Sequence, residues 1–466
     1  MVKIRDPIHG FIEVSDQEMK IIDSAPFQRL RNIRQLATSY LVYPGAEHTR
    51  FAHSIGVMHL VSKAFDAAVG NFKLMNDGGE LFNNKIDTKW YRQILRLIAL
   101  THDLGHAPFS HAFEEIFAID PKDTKGKRKI KHEYFTMKII CETEIADYIK
   151  QISDEFILDN IENIGNNTEE YKITPELLWL IYEQENPEED SRYKPRDFKL
   201  LRGFMNSELD CDKMDYLLRD SYYCGVNYGR YDVDRLISSL TVYNNEKYNV
   251  YQLAIKQSGI HVFEEFVIAR YFMFIQVYFH KTRRYLDYLL VKAVKSLDIG
   301  EIGHDFSVNT YMQYDDNNII DMLKAEARSG NKSAIAFKNR DLKSCVYQTS
   351  THSNSTKETQ WLNKIYDDLK KNLGNNAVWI DKAVKEPHKM PAIGRYDDPD
   401  GKGIPVIVSH SDTATNVIEE SVLLQGLHSL ISISRIYVDR NQKEKAKKIV
   451  KSYFPNPNES YEEDVL

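Results

Sequence analysis

Cysteine is scarce in this chain: Cys141, Cys211, Cys224 and Cys345 are four among 466 residues, far apart and with no CxxC pair. That spacing argues against a disulfide framework and against a thiolate zinc site. No apolar run approaches the roughly 18 residues of a membrane-spanning helix. The opening MVKIRDPIHG contains no secretory apolar region, so the expectation is a cytoplasmic protein with no membrane partner. There is no GxxxxGK[ST] loop, which disfavours a P-loop mode of phosphate binding. An excess of positive charge is also missing. The net charge of -7 argues against nucleic acid as the main partner. The run KDTKGKRKIK (Lys122 to Lys131) is a local exception, a solvated loop or an anion-steering rim.

What is present is long enough to bury a large core and form more than one lobe. Apolar residues at three- and four-residue spacing predict helices over 57–69, 88–103, 132–150, 174–184, 208–221, 260–279 and 281–297. Thr241-Val242-Tyr243 and Val250 to Ile255, separated by a polar turn, predict a hairpin. Beyond residue 300 the composition changes. The segment 347–359 is Ser/Thr-rich and reads as a loop or linker. A helix near 360–373, strand-like runs at 377–380, 404–408 and 431–438, and a helix near 443–453 follow. The predicted fold is mainly α: a helical core over 1–300, then a smaller C-terminal α+β lobe over 301–466 with a part in oligomerisation.

The chemistry concentrates in LTHDLGHAPFSH, where His102 and Asp103 are adjacent and His106 follows one turn later. A His-Asp doublet by itself identifies little, so the test is whether other ligands exist. Upstream, Arg50 and His53 are three apart and share a helix face. Downstream, Asp212, Tyr216 and Asp220 fall at i, i+4 and i+8, a polar stripe along a helix that otherwise carries Met214, Leu217 and Leu218. Imidazoles with carboxylates suit a divalent cation of intermediate hardness, and Mg, Mn, Fe and Zn are not distinguished by this set.

The order His53, His102-Asp103, Asp212 resembles the HD phosphohydrolase superfamily. The segments RDPIHGFIEV, FQRLRNIRQL, PGAEHTRFAHSIGV, HDLGHAPFSHAFE, KHE and DCDKMDYLLRD resemble its deoxynucleoside triphosphate triphosphohydrolases, from residue 3 to about 290. The expectation is an HD-domain helical core without a SAM domain. The resemblance implies that His53, His102, Asp103 and Asp212 hold the metal, and that His106, His111 and His132 line the attacked phosphate. His111 is the expected proton donor to the leaving 5′ oxygen, with Glu114 orienting it; relatives carry Asp at that position. Arg50, Lys213 and Arg270 match phosphate-contacting positions. Gln35, Tyr216, Asp220 and Tyr278 match positions that read the sugar: Tyr216 packs against the ribose, and Gln35 and Asp220 bond the 3′ hydroxyl.

Asp23, Gln28 and Arg31 match positions that recognise a nucleotide activator between subunits, which implies a homo-oligomer, dimer or tetramer. The leading expectation is a metal-dependent hydrolase that converts a dNTP substrate to deoxynucleoside and tripolyphosphate. Two other readings stay open here. One is an HD phosphohydrolase or phosphodiesterase acting on another nucleotide. The other is a nucleotide-sensing assembly whose hydrolytic site is vestigial, against which the intact ligand set weighs.

Overall fold

The structure is a computed structural model that describes residues 1–82, 85–119, 129–183, 194–300, 302–303, 305–353, 356–388, 390, 403–408, 414–427 and 429–454. Most of the basic run from Lys122 lies outside the described residues. The chain folds as two compact units, each assembled from separate stretches. The first comprises 1–269, 300–319 and 389–425; the second comprises 270–299, 320–388 and 426–466. The boundary expected at residue 300 therefore meets a segment, 300–319, that belongs with the first unit. The cause is packing: Tyr311 is fully buried there, stacks on Phe135 at 4.0 Å and donates to the Gly105 carbonyl at 2.6 Å.

The first unit begins with a hairpin, β1 (Val2–Asp6) and β2 (Gly10–Val14), paired from Val2↔Val14 to Asp6↔Gly10. Gly10 takes φ +74 at the turn, a conformation open to glycine. This hairpin falls in a stretch read as mostly helical, because two short strands give too few alternating positions to register. Helix α1 (Arg50–Met75) then runs through the unit with His53, Gly56, Val57, Val61, Ala64, Phe65 and Ala68 buried. Its small residues let α2 (Lys85–Thr101) approach closely. Trp90, Tyr91, Ile94 and Leu97 of α2 are fully buried, each such side chain stabilising by roughly 1.5–3 kcal/mol.

The helix expected over 132–150 is two helices, α3 (His132–Glu142) and a second over Glu144–Asp159. Thr143 between them is extended, and its hydroxyl accepts from the Ile145 N–H, ending one helix and capping the next. After α4 (Cys211–Cys224), the predicted hairpin forms as β3 (Leu240–Asn245) and β4 (Val250–Lys256), with Thr241 opposite Ala254. The short strand Pro405–Ile407 pairs parallel to β4, and Ala414–Asn416 pairs antiparallel to it in turn.

Glu18 and Arg96 form a buried bidentate pair in this unit, at 2.6 and 2.7 Å. Burial acts to raise the Glu18 carboxyl, but Arg96 and the Ser15 N–H outweigh it and leave it below its ordinary value near 4.5. A depressed carboxyl stabilises the fold above its unfolded pKa and loses that contribution as pH falls through its folded pKa. Glu18→Gln is therefore expected to be less stable than the parent at pH 7, with the difference shrinking below about pH 4.5. Urea unfolding midpoints measured from pH 7 to pH 3 check this.

In the second unit, α5 (Lys281–Val294) precedes an antiparallel sheet of β5 (Ser344–Gln348), β6 (Val378–Lys385) and β7 (Ile431–Val438), with β7 central. The Ser/Thr-rich segment expected to be a loop starts inside β5 and ends inside α6 (Thr356–Leu373). Leu362, Ile365 and Leu369 of α6 and Ala446 and Val450 of α7 (Lys443–Lys451) pack with Val346, Val378 and Ile436 into a separate core. The mainly α core with a C-terminal α+β region is as expected from the sequence.

Candidate metal centre

Three elements of the first unit deliver the centre. His102 closes the last turn of α2, its N–H donating to the Ile98 carbonyl at 2.9 Å. Its ring Nδ1 donates to the Ala99 carbonyl at 2.7 Å, which leaves the Nε2 lone pair for a ligand. His53 comes from the first turn of α1, and Asp212 from the first turn of α4, whose N-cap Asp210 accepts from the Lys213 N–H at 2.8 Å. His53 Nε2 is 2.9 Å from Asp212 Oδ1 and 3.7 Å from Asp103 Oδ2. His102 Nε2 is 3.4 Å from Asp103 Oδ1 and 3.7 Å from Asp212 Oδ1. Donor atoms about 2.1 Å from one ion lie roughly 3.0–3.4 Å apart, so this spread matches a coordination sphere.

The fit to a cation rests on orphaned donors. Nε2 of His53 and Nε2 of His102 are both buried without a hydrogen bond, although Asp212 Oδ1 is close to each. Burial presses His53 toward neutrality, yet Asp212, Asp215 and Asp103 outweigh it and lift the imidazole to about 10. His102 is raised in the same way, burial being outweighed by Asp103 and Asp212. Carboxylates converging on buried imidazoles make a cavity for positive charge, and a divalent ion there takes the place of the proton. Asp212 opposes burial with the two histidines and is held well below the carboxylate range. Its side chain is 35% exposed, so the centre opens to one side.

His53, His102 and Asp212 offer ligand atoms all within 4.8 Å of one another; Asp103 groups instead with His106 and His132. The Asp103 carboxylate spans both groups. Its Oδ2 accepts from Arg50 Nη1 at 2.6 Å, while Oδ1 is 3.3 Å from His106 Nε2. Burial works to raise this carboxyl, but Arg50, His102 and His106 hold it far below its usual value. The His106 and His132 rings stack at 3.6 Å, and His132 Nδ1 donates to Glu114 at 2.8 Å. Burial, then Arg50 and His132, keep His106 well below the ordinary imidazole range, so it is neutral at pH 7.

Gly105 makes this juxtaposition possible. Its N–H donates to Thr136 Oγ1 at 2.9 Å, and the Thr136 hydroxyl donates to the His102 carbonyl at 3.0 Å. A Cβ at Gly105 would lie 2.1 Å from Thr136 N and 2.2 Å from the His132 carbonyl oxygen. The glycine of HDLGH is thus the contact through which α3 packs on the doublet and brings His132 to His106.

The remaining predicted residues are distributed as follows. His111 lies in the 3-10 turn Ser110–Ile116, and its side chain is outside the described residues. Glu114, expected to orient His111, bonds His132. Arg50, expected at phosphate, also donates from Nε to Ser110 Oγ at 3.0 Å. The Lys213 ammonium donates to Asp210 at 2.5 Å and to the Ser207 carbonyl at 2.8 Å. Gln35 and Asp220 come together around His48: the Gln35 N–H donates to the His48 carbonyl at 3.1 Å, and His48 Nε2 donates to Asp220 at 2.7 Å. Gln35 Oε1 is buried without a hydrogen bond. Tyr216 sits one turn after Asp212 on α4, half-buried.

Arg270 and Tyr278 belong to the second unit, where Arg270 donates to the Pro387 carbonyl at 3.0 Å and Tyr278 packs on Phe274 at 5.0 Å. Asp23 is exposed at the end of helix Asp16–Asp23. Gln28 and Arg31, expected on one helix, lie in two short consecutive ones, with Arg31 Nε donating to Gln28 Oε1 at 2.8 Å and its guanidinium 3.4 Å from the Phe51 ring centroid.

Sequence reasoning missed two neighbours of the centre. Asp215 accepts from His53 Nδ1 at 2.8 Å; its i, i+4 spacing to Arg219 gives no sign of that contact. The phenol of Tyr182, on helix Pro175–Glu183, is raised well above its usual range by burial and then by Asp212 and Asp103. Nothing in its sequence setting marks it. Among the described residues no helix is long and apolar enough to cross a membrane.

Residues 50–194 match the HD domain family, and 231–454 match the HD associated region. The uncharacterised protein YwfO of Bacillus subtilis is 32% identical over 306 residues, covering 65% of this chain and 58% of its own. Human deoxynucleoside triphosphate triphosphohydrolase SAMHD1 is 28% identical over 342 residues, 69% of this chain and 51% of the relative. The chain spans between about a third and just under two thirds of the length of the curated relatives it matches. A solved hypothetical protein from Aquifex aeolicus superposes with a TM-score of 0.71 at 29% identity, covering 96% of this chain and 99% of that one.

Proposed function

This chain belongs to the HD-domain phosphohydrolase superfamily, and on that premise we propose that it hydrolyses deoxynucleoside triphosphates at the α-phosphorus, releasing deoxynucleoside and tripolyphosphate. The observation that carries the reading is the convergence of His53, His102 and Asp212, with Asp103 linking them to the His106–His132 pair. Relatives named deoxynucleoside triphosphate triphosphohydrolase support the substrate class.

When bound, a divalent cation supplies Lewis acidity at the phosphoryl group. His53, His102, Asp103 and Asp212 hold it. His106 and His132, the latter oriented by Glu114, line the attacked phosphate. Arg50 keeps Asp103 ionised and sets positive charge beside the developing negative charge. His111 gives the leaving 5′ oxygen its proton. Lys213 binds an outer phosphate once it exchanges its contact with Asp210. Gln35 and Asp220, aligned through His48, take the 3′ hydroxyl, while Tyr216 packs the sugar. Asp23, Gln28 and Arg31 take an activating nucleotide in a homo-oligomer.

EDTA treatment followed by desalting is expected to abolish turnover of all four dNTPs, and added Mn or Mg is expected to restore it. Screening the dNTPs singly and in pairs with product analysis tests the reading. Release of inorganic phosphate or a nucleoside monophosphate without tripolyphosphate would sink it.

A further inference from the structure

We propose that Asp215 is the positioning residue of the metal centre and that it couples the N-terminal hairpin to cation binding. This rests on His53 being a metal ligand, as assigned above. Asp215 lies one turn after Asp212 on α4 and is completely buried. Each of its oxygens is engaged from two sides. Oδ2 accepts from His53 Nδ1 at 2.8 Å and from Arg219 Nε at 2.8 Å. Oδ1 accepts from His9 Nε2 at 2.6 Å and from Arg219 Nη2 at 2.9 Å. An ionised carboxylate only accepts, so the proton of His53 is fixed on Nδ1 and the lone pair on Nε2, the atom that faces Asp212 and Asp103. One turn of α4 therefore supplies a ligand to the ion and the acceptor that orients its neighbouring ligand.

The same carboxylate is wired to the start of the chain. Arg219 is fully buried and donates through Nη1 to Asp6 Oδ2 at 2.9 Å. Asp6 ends β1, and its other oxygen accepts from the Ile8 and His9 N–H groups at 2.8 and 3.0 Å, shaping the turn that carries His9. The His9 side chain is only 4% exposed where it meets Asp215. The hairpin thus closes on Asp215 twice, through His9 directly and through Asp6 and Arg219. Gly56, three residues after His53 on α1, leaves the room this needs: a Cβ there would lie 2.1 Å from Asp215 Oδ1. Because the carboxylate is saturated and its donors are rigidly held, His53 Nε2 and the hairpin share one arrangement. Whatever stabilises His53 in it stabilises the hairpin.

The test uses the full chain with Mn2+ as the probe, its free concentration read by electron paramagnetic resonance. Asp215→Asn keeps the shape but turns an acceptor into a donor; Mn2+ affinity is expected to fall 10- to 100-fold. His9→Phe, which removes one donor at the edge of the network, is expected to weaken Mn2+ binding by a smaller factor, and it serves if Asp215→Asn does not fold. Hydrogen exchange of the Val2–Val14 amides is expected to slow on Mn2+ addition in the parent protein and to slow by less in His9→Phe, which keeps only the link through Asp6 and Arg219. Parent-like Mn2+ affinity in the folded variants, or hairpin exchange indifferent to Mn2+, would overturn the proposal. His53→Ala separates the two readings: if it still binds Mn2+ as the parent does, the metal assignment itself has failed, whereas loss of binding there with no effect at Asp215 and His9 defeats only this inference.

Discussion

Replacement of His102 by alanine is expected to lower dNTP turnover by at least about a thousandfold, roughly 4 kcal/mol of transition-state stabilisation, and to abolish stoichiometric cation binding. The imidazole is buried, its Nδ1 is spent on the Ala99 carbonyl, and its Nε2 has no hydrogen-bond partner. A side chain held this way has one job left, which is to donate that lone pair. Its loss also leaves Asp103 and Asp212 facing one another with one fewer positive or metal-binding group between them. Asp103→Ala is expected to fail equally, because Asp103 joins the ligand cluster to His106 and to Arg50. Metal content by elemental analysis, measured beside turnover on protein with a parent-like circular dichroism spectrum, checks both. A fully active His102→Ala would remove the centre from the mechanism.

Gly105→Ala is expected to produce a comparably large loss by a different route. The added methyl would meet backbone atoms, Thr136 N at 2.1 Å and the His132 carbonyl oxygen at 2.2 Å, and backbone yields less readily than a flexible side chain. The start of α3 must move away, at a cost of about 1–3 kcal/mol or more for overpacking. His132 moves with it and leaves its stack on His106. A displacement near 1 Å in a positioned group lowers turnover by about a hundredfold. The variant is expected to keep its cation, since His53, His102 and Asp212 are not on α3, while losing both melting temperature and kcat. Thermal unfolding, metal content and steady-state kinetics on one preparation distinguish this from a simple ligand loss.

The convergence of His53, His102 and Asp212 was legible because each stands in a short, chemically unusual run, and two of the three flanking segments carry helical periodicity. Arg50 and His53 share a face as their spacing requires, and both reach Asp103. The β3–β4 hairpin was legible from two apolar runs around a polar turn. The β1–β2 hairpin was not, and neither was the role of its Asp6 and His9, because their partners Arg219 and Asp215 are more than two hundred residues away. Local spacing contains no information about such pairs. The same holds for 300–319, whose place in the first unit depends on Tyr311 reaching Gly105. Expected and found partners diverge most for charged side chains: Arg50 meets Asp103, Lys213 meets Asp210, and Glu114 meets His132. Motif spacing places a charge near a site but does not say which opposite charge takes it.

The most direct test of the central claim is hydrolysis of a dNTP by the Mn-loaded protein in 18O-labelled water. Attack at the α-phosphorus with the 5′ oxygen leaving as part of the deoxynucleoside would break the P–O5′ bond, so the account predicts label in the tripolyphosphate and none in the nucleoside, with all turnover lost in His102→Ala. Label in the deoxynucleoside, or recovery of labelled monophosphate or inorganic phosphate instead of tripolyphosphate, would contradict it.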